Sequence, residues 1–409
     1  MVAERTRSRP LPGTQHFINP KRIPADEDFV ALSGFGSLVR WLAVAAAIAS
    51  MFLAVYLIFD GASGIGSGTV HRLFDLATNP VIGLLIGIVA TATIQSSTTV
   101  TALTVAAVGT GSLQVAVALP IILGANVGTT MTSLIVSFGF VGSRARFQRA
   151  FSAASLHAAF NVVFVVIAFG LEMLFHPLRR LAELVSSSVL GDGPADTPTG
   201  DIILEAISPI IDTVGIRGWL GELLGPRGAS VVAIALGALV IVVAVRVISR
   251  QLAVLTAATT RTLLERSSGA SDALGLLSGA LITMAVSASS VTVSSLLPFA
   301  ATKSLRYREV LPIILGANVG TTLTALLTAL VVPGSMGSIA VQAALIHVAF
   351  NVISALLVLL IPPLRTLILW MGQVSGRVAA RGYTLAAAVL AASYLVLPLA
   401  VILGYTLVT

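Results

Sequence analysis

The stretch "LPIILGANVGTT" occupies Leu119–Thr130, and the same twelve letters return unchanged at Leu311–Thr322. The duplication extends beyond the phrase. Gln95-Ser96-Ser97-Thr98 stands 24 residues before Leu119, and Ser287-Ala288-Ser289-Ser290 stands 24 before Leu311. "HAAFNV" (157–162) follows the first copy and "HVAFNV" (347–352) the second, at an offset of 190. Moving the first apolar run of the chain by the 192 residues that separate the phrases lands on Ser230, where another apolar run begins. Residues 38–175 and 230–361 therefore read as two units of one layout: helix, interrupted segment, helix carrying the phrase, helix.

Composition says where such units live. Of 409 residues, 56% are hydrophobic and 10% charged, with a mean hydropathy of +0.99. A soluble domain needs about a quarter charged residues to wet its surface, so most of this surface faces lipid. Nine apolar segments stand out, at about 38–59, 81–109, 117–140, 150–175, 230–248, 274–300, 309–332, 339–361 and 383–408. Several approach the ~20 residues that cross a hydrocarbon core. The net charge of +7 fits the Lys/Arg bias of cytoplasmic loops better than nucleic-acid binding. With no cysteine in the chain, disulfides, thiolate metal sites and Cys nucleophiles are excluded. The polar first 40 residues lack the pattern of a cleaved signal peptide, so the first apolar run is expected to be retained. No soluble domain is expected beyond the last run.

Two segments are split. "TIQSSTT" (93–99) interrupts 81–109, and "SASSVTVSS" (287–295) interrupts 274–300. Each half is too short to span alone, which leaves one interrupted helix or a hairpin that turns back at mid-membrane. Charge chooses. Arg5, Arg7, Arg9, Lys21, Arg22 and Arg40 put the N-terminal arm inside, and Arg144, Arg146 and Arg149 put the next basic loop inside too. Residues 38–59 cross outward, so 81–109 and 117–140 together must cross an odd number of times. One hairpin plus one span satisfies this. In the second unit Arg246, Arg250, Arg261 and Arg266 precede the split segment, and Lys303, Arg306 and Arg308 follow it. It too returns to the side it left. Nineteen of the 24 Lys/Arg then lie inside.

The expected fold is thus an all-α polytopic membrane protein, an inverted-topology repeat with two re-entrant helical hairpins and about seven spanning helices. Its parts are a cytoplasmic N-terminal arm (1–37), the first repeat (38–175), an acidic extracytoplasmic loop (176–229), the inverted second repeat (230–361), and a cytoplasmic linker with a last transmembrane helix (362–409). "LGDGPADTPTG" (190–200) reads as flexible, with short amphipathic helices possible at the loop's flanks. Inverted repeats with broken helices mark secondary transporters, whose site lies at midplane where the units meet.

The broken segments carry the chemistry. A helix end at mid-membrane offers N–H groups to anions or carbonyls to cations. Hydroxyls and amides beside it add donors and acceptors without formal charge. Gln95, Ser96, Ser97, Thr98 and Thr99 fit this description, as do Ser289, Ser290 and Thr292. Such a site holds an oxyanion by its donors and Na⁺ by its oxygens. The apolar segments contain almost no carboxylate; Glu172 sits near a helix end. A proton relay normally shows intramembrane Asp, Glu or His, and His157 and His347 read instead as inter-helix hydrogen-bonding groups. Gly124 and Gly128, spaced GxxxG, read as packing positions, and Pro120 and Pro312 suit early helix positions. Asn126, Thr129 and Thr130, with Asn318, Thr321 and Thr322, either line the site or brace the hairpins.

At "QSSTT" and "SASS", each followed by "GANVGTT", the chain resembles the type II sodium–phosphate cotransporter family over about 38–361. The resemblance implies Na⁺-coupled symport of inorganic phosphate across the plasma membrane by alternating access, with the N-terminus cytoplasmic and no cofactor beyond Na⁺ as coupling ion. It implies phosphate-site roles for Gln95, Ser96, Ser97, Thr98, Ser289 and Ser290. Sodium is assigned to Thr99, Ser287, Thr292, Asn126, Thr129, Thr130, Asn318, Thr321 and Thr322. Two departures stand out: the first motif has Thr98 where the family usually has Ser, which keeps the hydroxyl, and the second has Ser287 in place of Gln and Ala288 in place of Ser. Each hydrogen bond to an anion lost this way costs ~1.5–3 kcal/mol. The alternative is therefore a carrier of another anion, or one driven by H⁺. A channel fits less well, because pores favour symmetric oligomers or rings of charge. An intramembrane enzyme would need a Ser nucleophile with His157 or His347 as base, which the sequence does not place together.

Overall fold

A computed structural model describes residues 34–65, 75–190, 205, 208–255, 271–330, 332 and 336–408, and these hold helices and no strand. Residues 1–33 with the arginines of the arm, 191–204 with the stretch read as flexible, and 256–270 with Arg261 and Arg266 lie outside the described residues. The first unit runs α1 (Gly34–Ile65), α2 (Pro80–Ile94), α3 (Ser97–Gly109), α4 (Val115–Gly128), α5 (Thr130–Ser137) and α6 (Arg144–Phe175). Helix α7 (Pro177–Leu190) follows. The second unit is α8 (Trp219–Leu255), α9 (Asp272–Val286), α10 (Ser289–Ala301), α11 (Tyr307–Ala329) and α12 (Met336–Leu360). Then come α13 (Pro362–Ala379) and α14 (Tyr383–Val408), which carries a π-helical turn at Ala392–Val396.

Among the described residues seven helical stretches are long and apolar enough to cross a membrane: α1, α4 with α5, α6, α8, α11, α12 and α14. Helices α2, α3, α9 and α10 are apolar but have 13–15 residues each. The protein is a multi-pass membrane protein. The expected linker after 361 is in fact the helix α13. Arg365 and Arg377 keep its sequence below transmembrane hydropathy, yet it packs on α6 through Gly372 and Gly376. A Cβ at Gly376 would meet Ser152 Oγ and Gln148 O, and one at Gly372 would meet Leu156.

Local chemistry sets the helix ends. Asn79 Oδ1 accepts from the Val81 and Ile82 N–H groups at 3.0 and 3.4 Å, and Pro80 takes the first helical position of α2. Ser271 Oγ caps α9 at Leu274 N–H, 3.3 Å. Buried Glu172, in the last turn of α6, accepts from Leu178 N–H at 2.8 Å and from Arg179 Nε at 3.0 Å. Its carboxylate thus neutralises the N-terminus of α7.

The repeated phrase packs each long helix onto the first short helix of its own unit. A Cβ added to Gly124 would sit 2.0 Å from Leu84 O, one on Gly87 2.1 Å from Ile121 O, and one on Gly128 2.6 Å from Ile88 O. In the second unit Gly316 faces Leu276 O at 1.9 Å, Gly279 faces Ile313 O at 2.0 Å, and Gly320 faces Ala280 O at 2.6 Å. A GxxxG on α4 meets another on α2 (Gly83, Gly87), and the pair recurs as α11 on α9 (Gly275, Gly279). Backbone touches backbone, which is what small residues allow in lipid. The order of contacts, 83 with 120 and 128 with 88 and 92, makes α2 and α4 parallel; Gly275 with Pro312 and Gly320 with Ala280 make α9 and α11 parallel.

Several contacts join helix ends. Arg40 Nη1 donates to Gln251 Oε1 at 2.7 Å and Arg149 Nε to Ala301 O at 2.7 Å. Arg365 bridges Asp272 and, at 3.2 Å, the Arg308 carbonyl. Ile216 N–H donates to Asp60 Oδ2 at 2.9 Å, and Gly109 lies against Val332. The core between draws on both units, with Leu119, Phe147 and Phe160 packed in one cluster with Ile282, Leu296, Leu311 and Phe350.

Candidate functional site

The two interruptions have the same geometry. Gln95 ends α2 in the left-handed region (φ 60°, ψ 31°), and its N–H donates to Thr91 O at 2.7 Å. Ser287 ends α9 at φ 55°, ψ 25°, donating to Thr283 O at 2.6 Å. The next residue is extended in both, Ser96 at φ −152° and Ala288 at φ −154°, and a new helix begins at Ser97 or Ser289. Each break thus spans two residues.

Opposite breaks meet. Thr98 Oγ1 donates to the Ser287 carbonyl at 3.0 Å, across 189 residues of sequence. The C-cap carbonyl of α9 therefore meets the N-terminal turn of α3. Gln95 is exposed and Ser96, Ser287 and Ala288 are half-buried, while Ser97, Thr98, Ser289 and Ser290 are buried. Ser289 Oγ is buried with no hydrogen-bond partner. The structure thus brings Thr98 and Ser287 into contact and sets Gln95, Ser96, Ser97, Ser289 and Ser290 in the two turns around them.

The cap is where the halves differ. Ser96 Oγ accepts from Thr99 N–H at 3.2 Å and from Thr99 Oγ1 at 2.9 Å. Ala288 has no side chain to do this, so α10 starts without a side-chain cap. First-turn N–H groups have no acceptor within their own helix, and at α10 they remain open to an anion. A second asymmetry lies one turn back. Thr283 and Thr292 hydroxyls pair at 2.7 Å; at the positions 192 residues earlier stand Thr91 and Val100, and Thr91 Oγ1 is buried unpartnered.

The amides of the phrase brace the two units together. His157 Nε2 on α6 donates to Asn318 Oδ1 on α11 at 3.0 Å. His347 Nε2 on α12 donates to Asn126 Oδ1 on α4 at 3.3 Å, and Asn351 Nδ2 donates to the same oxygen at 3.2 Å. Both histidines are therefore inter-helix groups, and each crosses from one unit to the other. Thr321 and Thr322 turn their hydroxyls onto Asn318 O and Val319 O, at 2.6 and 2.7 Å. Thr130 shares a 2.5 Å hydrogen bond with the Tyr394 hydroxyl beside the π-helical turn of α14. Thr129 is buried at the junction of α4 and α5. Tyr394, Thr91 and Thr283 were not read from the sequence. The 192-residue offset relating Thr91 to Thr283 was the signal available for that pair; none was available for Tyr394.

These features define a multi-pass membrane protein in which two interrupted helix pairs present uncharged polar turns to one another. The chain belongs to the Na⁺/Pi-cotransporter family, whose model matches residues 50–190 and 240–401. Among curated proteins it is similar to the sodium-dependent phosphate transport protein 2A of Ovis aries, 27% identical over 404 residues, covering 83% of this chain and 63% of that protein. It is 30% identical over 350 residues to the 2C protein of Rattus norvegicus (69% and 58% covered) and 25% over 380 residues to the 2B protein of Homo sapiens (73% and 55%). The chain thus spans between half and two thirds of the length of these relatives. No solved structure matches the chain at a significant level.

Proposed function

We propose that the chain is a sodium-coupled symporter of inorganic phosphate that works by alternating access in the plasma membrane. The observation that carries this reading is the meeting of the breaks, Thr98 Oγ1 on Ser287 O at 3.0 Å. It joins helix N-termini suited to an oxyanion and helix carbonyls suited to Na⁺. Phosphate takes Gln95, Ser96, Ser97, Thr98, Ser289 and Ser290, with the open N-terminus of α10 supplying backbone donors. Sodium takes the oxygens of Thr99, Ser287, Thr292, Thr129 and neighbouring phrase residues.

The inverted repeat belongs to the same proposal, and three contacts support it. Parallel α2 and α4 require α3 to bring the chain back to the end where α2 began, and α9 with α11 requires the same of α10. Arg365 touches both Asp272, which opens α9, and Arg308, which opens α11. Gly109 and Ala301 are equivalent positions 192 apart; one lies against Val332, after α11, and the other against Arg149, where α6 starts. With the Arg-rich end cytoplasmic, the N-terminus is inside. Single cysteines test this in a chain that has none. Ser112→Cys is expected to label from outside and Ser304→Cys from inside; labelling of both from one side would break the inverted arrangement.

Function is tested by radiolabelled phosphate uptake into proteoliposomes with and without an inward Na⁺ gradient, beside H⁺-gradient and sulfate arms. Uptake that ignores Na⁺ would sink the proposal. Ser97→Ala and Ser289→Ala, folded as the parent, are each expected to abolish uptake.

A further inference from the structure

We propose that the corner between α6, α13 and α14 is a binding site for an anionic phospholipid, its acyl chain in an apolar cavity and its phosphate on arginines at the Arg-rich end. The inference does not rest on the transport reading. A cavity of about 420 Å³ opens between these helices. It is lined by Phe151, Ser155, Val378, Ala386, Val389 and Tyr394 among others, and its walls are hydrocarbon apart from a few hydroxyls. The lining helices α6 and α14 are long enough to cross the bilayer, so an acyl chain is the occupant at hand.

Charge commits the site to an anionic lipid. Helices α6 and α13 run antiparallel, since Gly372 meets Leu156 and Gly376 meets Gln148. The start of α6 therefore lies beside the end of α13. The Phe147 and Tyr383 rings, 4.8 Å apart, extend the same register into α14. Arg144 and Arg146 lie within two turns before Phe151, and Arg377 and Arg381 flank Val378 and Gly382 of the lining. All four are exposed, and none forms an ion pair with a described residue. Basic pockets between helices on the cytoplasmic side suit lipid phosphates.

Native mass spectrometry of the full chain, titrated with phosphatidylglycerol or phosphatidylcholine, tests this. Phosphatidylglycerol is expected to stay bound where phosphatidylcholine dissociates. Arg377→Gln with Arg381→Gln weakens its retention roughly fivefold per arginine. Val389→Trp, at an exposed position of the lining, removes it, whereas Leu403→Trp, exposed elsewhere on α14, leaves it intact. Equal retention of the two lipids overturns the proposal. So does undiminished phosphatidylglycerol binding in the arginine variant or in a monodisperse Val389→Trp protein.

Discussion

Gly316→Ala measures how much the repeated phrase contributes by being small. A Cβ at Gly316 would lie 1.9 Å from Leu276 O and 2.8 Å from Ala280 N. A carbon–oxygen contact relaxes only at about 3.3 Å, so α9 and α11 must separate by more than ~1 Å. The atoms struck are backbone, which no rotamer change can move aside. Separation also opens the neighbouring contacts at Gly279 and Gly320. Overpacking of a tight interface costs ~1–3 kcal/mol, and the backbone clash puts this site at the upper end. At ~2–4 °C per kcal/mol, the apparent Tm of purified protein in detergent falls by roughly 5–10 °C. Gly124→Ala, with Leu84 O at 2.0 Å, is expected to match it, because the crossing is the same in both units. Gly170→Ala on α6 is the control: nothing lies within 4 Å of its Cβ, and helix propensity favours alanine by up to ~1 kcal/mol. A Gly316→Ala protein as stable as Gly170→Ala would refute the argument that the phrase is fixed by backbone contact.

Three further outcomes follow from named hydrogen bonds. Ala288→Ser restores the missing cap at a backbone angle that Ser96 already adopts, and is expected to add ~1 kcal/mol of stability, seen as a rise in Tm, while Ser96→Ala loses as much. Asn126→Ala strands donors of both His347 and Asn351, and Asn318→Ala strands that of His157 alone; at ~1–3 kcal/mol for each unsatisfied donor, the first variant should melt lower. Equal melting of the two would refute the asymmetric brace. Glu172→Gln replaces a charge-assisted acceptor for Leu178 N–H and Arg179 by a neutral one, a loss of ~1 kcal/mol or more, to be read as earlier protease cleavage between α6 and α7.

The helices were largely legible because hydropathy writes them directly. The split segments at 81–109 and 274–300 correspond to α2 with α3 and α9 with α10, and both contain the breaks. What the sequence left open is long-range. Nothing local to Thr98 says that its hydroxyl reaches Ser287 O, and nothing in "HAAFNV" says that His157 answers to Asn318 rather than to Asn126. Gly83, Gly87, Gly275 and Gly279 were not singled out in the sequence, since a glycine's value lies in what approaches it. Helix α13 read as a linker because its arginines dilute its hydropathy; its helicity is secured by packing against α6, which a windowed average does not register.

The braces constrain how an alternating-access cycle of the kind proposed could run. Each copy of the phrase is held twice, to its own short helix through glycines and to the opposite unit through an asparagine. The glycine crossing loses packing at several points at once if it opens, so α2 with α4 and α9 with α11 are the natural rigid bodies. The asparagine braces are different in kind. Separating His347 from Asn126 without a new partner leaves buried donors unsatisfied at ~1–3 kcal/mol each. The outward and inward states must then either keep both braces or exchange them for others. Buried polar atoms already without partners mark where an exchange has room: Asn318 Nδ2, Asn161 Oδ1 and Asn351 Oδ1. The His157 side carries one cross-unit bond where the His347 side carries two. The braces are thus a further point, beside the caps and the Thr283–Thr292 pair, at which the two units differ.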